Sequence, residues 1–155
     1  MEGEKRFVYR GNRLPDPGIN TVIYGRGFFE MELDLESELF YELRKRNGIL
    51  PYRINESTSK QIEEIRAFFY QNRNTFYFLF DLNKLISSIL FLRNYIKCLS
   101  IAKSYQRRGF GTKLTALAIN KIIDIGYTAV ELNILPGNIA AEQLYRKIGF
   151  TEVNA

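Results

Sequence analysis

The chain has 155 residues, of which 46% are apolar and 25% charged, and its formal net charge is +5. Length and apolar share favour one folded domain, residues 1–155, and argue against a disordered chain. With no histidine and one cysteine, Cys98, the chain lacks the material for a Ser-His or Cys-His centre, a zinc site or an internal disulfide.

Within that domain, an N-terminal segment 1–48 is expected to pack on a core of 49–155. Phe7 to Tyr9 and Thr21 to Tyr24 are expected as short strands, with a turn from Leu14 to Gly18 between them. Asp34 is expected to cap a helix that runs to about Arg46, with Leu35, Leu39 and Leu43 on one face and Gly48 as its stop. Ile49 to Ile54 reads as a strand. Thr58 and Gln61 form a capping-box pattern for a helix to about Gln71, which buries Ile62, Ile65 and Phe69.

Strands follow at about 75–81, 84–93 and 95–102, the first two joined by turn residues Asp81 to Asn83. A helix after residue 109 carries Leu114, Leu117, Ala118, Ile122 and Ile125 at helical spacing and stops at Gly126. Ala129 to Ile134 reads as a strand. A helix from about Ile139 to Ile148 then sets Ala141, Leu144, Tyr145 and Ile148 along one side, and a last strand begins at Phe150. The order implies an α/β chain of the α+β kind, a mixed sheet covered by helices.

The stretch from Gln106 to Thr112 follows an apolar strand and opens a helix. A helix start has N–H groups without intrahelical partners and the positive end of the dipole, so it suits an anion. Gly109 and Gly111 let the backbone approach a ligand, and Arg107 and Arg108 add phosphate-compatible donors. The spacing fits neither a dinucleotide-binding turn, since the next glycine is Gly126, nor a P-loop, since the order is Gly111-Thr112-Lys113. The stretch reads as a pyrophosphate cradle.

Together with a second segment, it resembles the GNAT superfamily of acyl-CoA-dependent N-acetyltransferases. Ile101 to Gly111 is similar to that family's apolar-x-P-x-[YH]-[RQ]-x-x-G-x-[GA] run, with Lys103 where proline is usual. Asn138, Ala141, Leu144, Tyr145, Gly149 and Phe150 match its N-x-x-A-x-x-L-Y-x-x-x-G-F pattern. The resemblance covers about residues 75–153. It implies a central mixed sheet whose strands splay around a CoA cleft, and direct transfer of an acetyl group from acetyl-CoA to an amine. A longer C-terminal hairpin is usual in the family, so the N-terminal segment is expected to complete the sheet or the acceptor wall.

The resemblance also implies roles. Leu99 and Ile101 would align the pantetheine arm, and the backbone of Arg107, Arg108, Gly109, Phe110 and Gly111 with the Thr112 hydroxyl would hold pyrophosphate, helped by Gln106. Asn138 and Ala141 would contact the arm, and Asn138 also suits a helix N-cap. Tyr145 would act as general acid toward the leaving thiolate. Some relatives place a basic glutamate where this chain has Asn133, so Glu131, on the same strand face, is the candidate base. Glu30 and Glu32 are alternatives if the N-terminal segment lines the site, and so is a water chain. Cys98 reads as a buried structural cysteine.

The acceptor is open: a protein N-terminus, a lysine side chain, a polyamine or an antibiotic. The acidic string Glu30, Glu32, Asp34, Glu36, Glu38 would attract a cationic acceptor if it faced the cleft, although a helix start also favours acids. Basic residues are scattered, which argues against nucleic acid. No metal is expected, and no apolar run reaches the ~18 residues of a membrane span. The first residues lack a secretory apolar region, and the single cysteine suits the cytoplasm. A homodimer is left open. The competing readings are an acyl-CoA-binding regulatory domain without catalysis and a basic nucleic-acid module.

Overall fold

The structure, a computed structural model, describes residues 3–154. Seven strands form one sheet: β1 (Lys5–Tyr9), β2 (Val22–Ile23), β3 (Phe76–Asp81), β4 (Lys84–Leu92), β5 (Tyr95–Ile101), β6 (Val130–Ile134) and β7 (Thr151–Val153). Their spatial order is β2-β3-β4-β5-β6-β1-β7. Every pairing is antiparallel except β5 with β6, so the sheet is mixed. The five helices are α1 (Phe29–Leu39), α2 (Tyr41–Arg46), α3 (Ser59–Gln71), α4 (Phe110–Ile125) and α5 (Ile139–Ile148).

Two features of the sheet place the site. The parallel β5–β6 register is confined to Tyr95 opposite Glu131, so no ladder joins the strands past that point. The second feature is a bulge. Leu90 of β4 faces Cys98, whereas Phe91 faces Ile96, which leaves Lys97 as an extra residue in β5. The bulge shifts the alternation of side chains. Ile96 and Leu99 pack on the same face of the sheet, and Cys98 and Ser100 take the opposite face.

The N-terminal strand lies inside the sheet. β1 pairs with β6 from Lys5↔Ile134 to Tyr9↔Val130, and with β7 on its other side. With a strand on each side, β1 buries Phe7, Val8 and Tyr9 in succession. After β1 the chain runs along α4, where Asn120 receives the Leu14 N–H at 2.8 Å and donates to the Leu14 carbonyl at 2.9 Å. These bonds satisfy an amide side chain that is otherwise buried.

α4 and α5 cover one face. Leu114, Ala118, Ile119 and Ile122 of α4 meet Ile89, Phe91, Val130 and Leu132 there. α1 and α3 cover the other, over an aromatic cluster in which Phe76 lies against Tyr24, Phe69 and Phe78 at ring separations of 4.6–5.6 Å. α3 begins as its sequence predicts, with both halves of the Thr58–Gln61 capping box formed. Among its expected contacts Phe69 is buried, while Ile62 and Ile65 are half-buried.

Two expected elements differ. Residues 49–54 are not a strand. Leu50 is exposed, the Leu50–Pro51 bond is cis, and a short 3₁₀ turn occupies Ile54–Glu56. Pro51 has no N–H for a ladder, and no neighbouring strand offers one. The helix expected from Asp34 begins earlier, at Phe29, and is divided at Phe40 into α1 and α2. Asp34 therefore caps nothing; it accepts a 3.2 Å bond from Asn55 Nδ2 on the α1 surface. Leu35, Leu39 and Leu43 are half-buried, and Phe29 and Leu33 form the buried stripe.

Candidate active site

The cradle begins with two left-handed residues, Arg107 at φ +62° and Gly109 at φ +87°. They turn the chain from a short 3₁₀ turn at Lys103–Tyr105 into α4. No side chain caps α4, and its first main-chain bond runs from the Lys113 N–H to the Gly109 carbonyl. The N–H groups ahead of that bond point outward at the dipole's positive end. A Cβ at Gly109 would meet no atom within 4 Å, so the space before the helix is open. Gly111 differs: a Cβ there would lie 2.9 Å from Ile101 Cδ1 and 3.1 Å from Leu144 Cδ2. Its missing side chain lets α4 seat against β5 and α5.

The side chains around the turn mostly stabilise it. Gln106 Nε2 donates to the Ile101 carbonyl at 3.0 Å, which ties the turn to the end of β5. The Arg108 guanidinium stacks on the Tyr105 ring at 4.9 Å, and Phe110 meets that ring edge-on. Arg107 and Thr112 are exposed. The backbone of the cradle can therefore hold a diphosphate, and Arg107 and Thr112 are free to add to it.

From the cradle, β5 leads inward past Ile101 and Leu99. Beyond Tyr95 its β6-facing edge carries no ladder, and such an edge pairs readily with an extended amide-bearing chain. Across the gap stands the start of α5. Asn138 caps that helix, its Oδ1 receiving the Ala141 N–H at 3.2 Å, so its capping role is real. The remaining Asn138 amide donors are not used in the cap.

Tyr145 is buried on α5, its ring edge-on to Phe150 at 5.4 Å. Burial raises its pKa, and the neighbouring Cys98 acts in the same direction, so the hydroxyl stays protonated and available as a donor. Cys98 lies on the opposite face of β5 from Leu99. Cys98 is itself pushed well up, first by burial and then by the carboxyls of Glu36 and Glu32. A thiol so held is no nucleophile.

The acidic candidates separate. Glu131 sits where β5 and β6 are still in register, receives Arg6 and is held by Asn94 Nδ2 at 3.2 Å. Asn133 is exposed further along β6. Glu30 is exposed and paired with Arg66. Glu32 is fully buried under α1, where it accepts the Ser88 hydroxyl at 2.5 Å. Glu36, another member of the acidic string from Glu30 to Glu38, lies one turn on and acts electrostatically on both Glu32 and Cys98. Its signal was present in the sequence: positions 29, 33 and 36 share one helical stripe, and a carboxyl on an apolar stripe is out of place.

Among the described residues there is no cluster of three or more metal-ligating side chains and no helix long and apolar enough to cross a membrane.

No curated protein matches the chain at a significant level. Among solved structures, it is similar to a GNAT-family acetyltransferase from Colwellia psychrerythraea, with TM-score 0.71, 12% identity, and coverage of 97% of this chain and 52% of that one. It is similar to a transcriptional regulator from Bacillus halodurans, with TM-score 0.67, 14% identity, and coverage of 88% and 95%. It is also similar to an aminoglycoside 6'-N-acetyltransferase from Acinetobacter haemolyticus, with TM-score 0.63, 12% identity, and coverage of 88% and 94%. The chain thus spans about half the length of the Colwellia protein and nearly all of the other two. A sequence model of the acetyltransferase (GNAT) family matches residues 36–150, from Glu36 on α1 through the cradle to Phe150. That match takes in most of the chain and agrees with the fold, so the chain belongs to the acetyltransferase (GNAT) family.

Proposed function

We propose that the chain transfers an acetyl group from acetyl-CoA directly to a primary amine. The observation that carries this reading is the uncapped, glycine-opened start of α4 at the end of the unpaired edge of β5. Main-chain N–H groups from Arg107 to Gly111 hold the pyrophosphate, with Arg107 and the Thr112 hydroxyl beside them. Gln106 and Arg108 keep the turn in shape. Leu99 and Ile101 align the pantetheine amides along β5, and Asn138 and Ala141 bound the arm from α5. Holding thioester and amine together supplies most of the acceleration, since effective-molarity effects reach about 7–11 kcal/mol.

Tyr145 faces the departing sulfur. Because burial keeps it protonated, its first contribution is a hydrogen bond to the developing thiolate, followed by relay of a proton. Glu131 is a poor base in this arrangement, because an arginine and an amide already occupy its oxygens. The likeness to an aminoglycoside N-acetyltransferase supports an amine as the acceptor class. Cys98 is free and half-buried rather than fully buried as expected; a free thiol suits a reducing compartment, and we place the activity in the cytoplasm.

A second reading, acyl-CoA binding without transfer, is favoured by Asn133 at the position of the family's basic glutamate and by the likeness to a transcriptional regulator. A thiol-release assay with acetyl-CoA against a panel of amines and peptides separates the two. Release that depends on amine supports transfer. A protein whose melting temperature rises with acetyl-CoA, yet which releases no thiol with any amine, supports binding alone.

A further inference from the structure

Glu32 presents an unusual local chemistry. It is fully buried, one oxygen receives Ser88, and the other, Oε2, has no donor within hydrogen-bond distance. An ionised carboxylate in that setting would leave a charge largely unsolvated, which a protein interior disfavours. A protonated one resolves this, because its O–H then needs an acceptor. Glu36 stands one helical turn further along α1, and residues so spaced stack on the same face. The two carboxyls interact with each other, and burial raises both, Glu32 the more. Like charges this close do not both ionise, so one proton is shared between them.

Glu36 differs from Glu32 in its surroundings. It is half-buried and lines a cleft of about 440 Å³ between α1, α3 and the segment after α2. Leu33, Ile54, Ile65 and Phe68 give the cleft an apolar wall. Lys97 of β5 lines the same cleft, and the neighbouring Cys98, on this face of the sheet, interacts electrostatically with Glu36 and, from the other side, with Tyr145. The sheet is open beside this point, because β5 and β6 are not paired past Tyr95. Tyr145 and Glu36 therefore flank one spot from opposite faces.

We propose that Glu36 is the base that deprotonates the acceptor amine, that Glu32 is a positioning residue which holds the shared proton, and that the acceptor is a primary amine on an apolar stem lying in this cleft. The inference rests on the transfer reading above. The ammonium gives one proton to the Glu36 carboxylate, and the half-buried carboxyl passes it to water. The nitrogen lone pair forms the C–N bond and the C–S bond breaks. The second nitrogen proton ends on the sulfur, relayed through the Tyr145 hydroxyl. The products are the N-acetyl amine, the free thiol and one proton.

The charges facing Glu36 sharpen the substrate class. Glu32 shares its helix, Arg44 comes from α2, Glu64 from α3, Lys97 and Cys98 from β5, and Tyr145 lies across the sheet. Arg44 and Lys97 pull toward ionisation of Glu36 and balance the two cleft carboxylates. A site with balanced charge does not favour a polycation. A monoamine such as phenethylamine or hexylamine is expected to outperform spermidine.

The test uses the full chain, with phenethylamine, hexylamine and spermidine as probes. In wild type, kcat/KM rises with pH and levels off above the apparent pKa of the pair. Glu36→Gln is expected to lose at least ~10²-fold at neutral pH, to keep its acetyl-CoA melting shift, and to climb with pH toward the amine's own pKa. Glu32→Gln, which keeps a neutral donor, is expected to retain most activity with a shifted pH profile, while Glu32→Leu is not. Carbon-13 NMR of glutamate carboxyls gives a readout independent of acceptor: one proton should persist on the pair at pH 7. Wild type that acetylates no probe but binds acetyl-CoA overturns the transfer reading and the base with it. Probes acetylated equally by wild type and Glu36→Gln at every pH overturn the base alone. Two carboxyls that titrate together in the ordinary range overturn the shared proton, and spermidine as the best probe overturns the substrate class.

Discussion

The two faces of the sheet are built on different rules. The face under α4 and α5 mixes aliphatic side chains with the rings of Phe7, Phe91 and Phe150, and the groups proposed to act there are mainly main-chain ones: the open start of α4 and the free edge of β5. The face under α1 and α3 is centred on an aromatic cluster, with Phe76 against Tyr24, Phe69 and Phe78, and the groups proposed to act there are side chains, Glu32 and Glu36. The difference suggests a division of labour. A diphosphate and an amide-bearing arm are the same in every reaction with acetyl-CoA, so backbone geometry suffices. An acceptor has its own shape and charge, and side chains must meet it. Changes on the first face should strike cosubstrate binding, and changes on the second should strike the amine.

Tyr145→Phe probes the point where the faces meet and should have the largest effect. We expect kcat to fall about 10²–10⁴-fold with acetyl-CoA affinity nearly unchanged, read by steady-state kinetics and calorimetry. Full turnover with chemistry rate-limiting would make Tyr145 a packing residue.

Next is Phe76→Ala, at the centre of the aromatic cluster. Removing a fully buried ring should cost about 3–5 kcal/mol of stability by denaturant titration. At low temperature, where the variant remains folded, amine KM should suffer more than acetyl-CoA binding. Equal damage to both would erase the division proposed above.

Gly109→Glu is the matching change on the other face. Acetyl-CoA at about 100 times its dissociation constant should stabilise wild type by roughly 2.7 kcal/mol, and the variant should lose that gain. The new side chain has room and sets a carboxylate where the pyrophosphate lies, although a left-handed φ adds strain. An undiminished melting shift in a folded variant would move the cradle elsewhere.

The smallest expected effect is a pH slope. The folded pKa of Glu32 is raised, so its contribution to stability is complete below the ordinary carboxylate range, about 4.3, and is lost as pH rises through the folded value. Over that window wild type should lose up to about 1.4 kcal/mol per pH unit from this group, and Glu32→Gln should flatten the slope. Denaturant midpoints across pH measure it. A slope unchanged in the variant would mean that Glu32 is not the titrating group.

The sequence was most legible where structure is local. The glycine turn into α4 was readable because Gly109 and the helix start sit within a few residues of each other, and the α3 capping box needs only Thr58 and Gln61. The sheet class followed from strand and helix order. What failed depended on distant partners. Residues 49–54 have strand-like composition, but Pro51 and the lack of a neighbouring strand leave them without a ladder. The break at Phe40 carries no glycine or proline to announce it. Glu36 was hidden in a run of alternating acids, because its meaning depends on Cys98 of β5, 62 positions further along the chain.

The placement of β1 has a consequence for how the chain is made. Arg6 in β1 binds Glu131 in β6, 125 positions away. During synthesis Phe7, Val8 and Tyr9 leave the ribosome long before both of their partner strands. At about 5–20 residues per second, the wait is roughly 6–25 s. Through that interval an apolar strand with two open edges must be kept from pairing with other chains, whether by transient helix contacts or by a chaperone. Refolding from denaturant should be slow for the same reason, since a pairing of such long range closes late. The strand that locks the sheet is the one left longest without a neighbour.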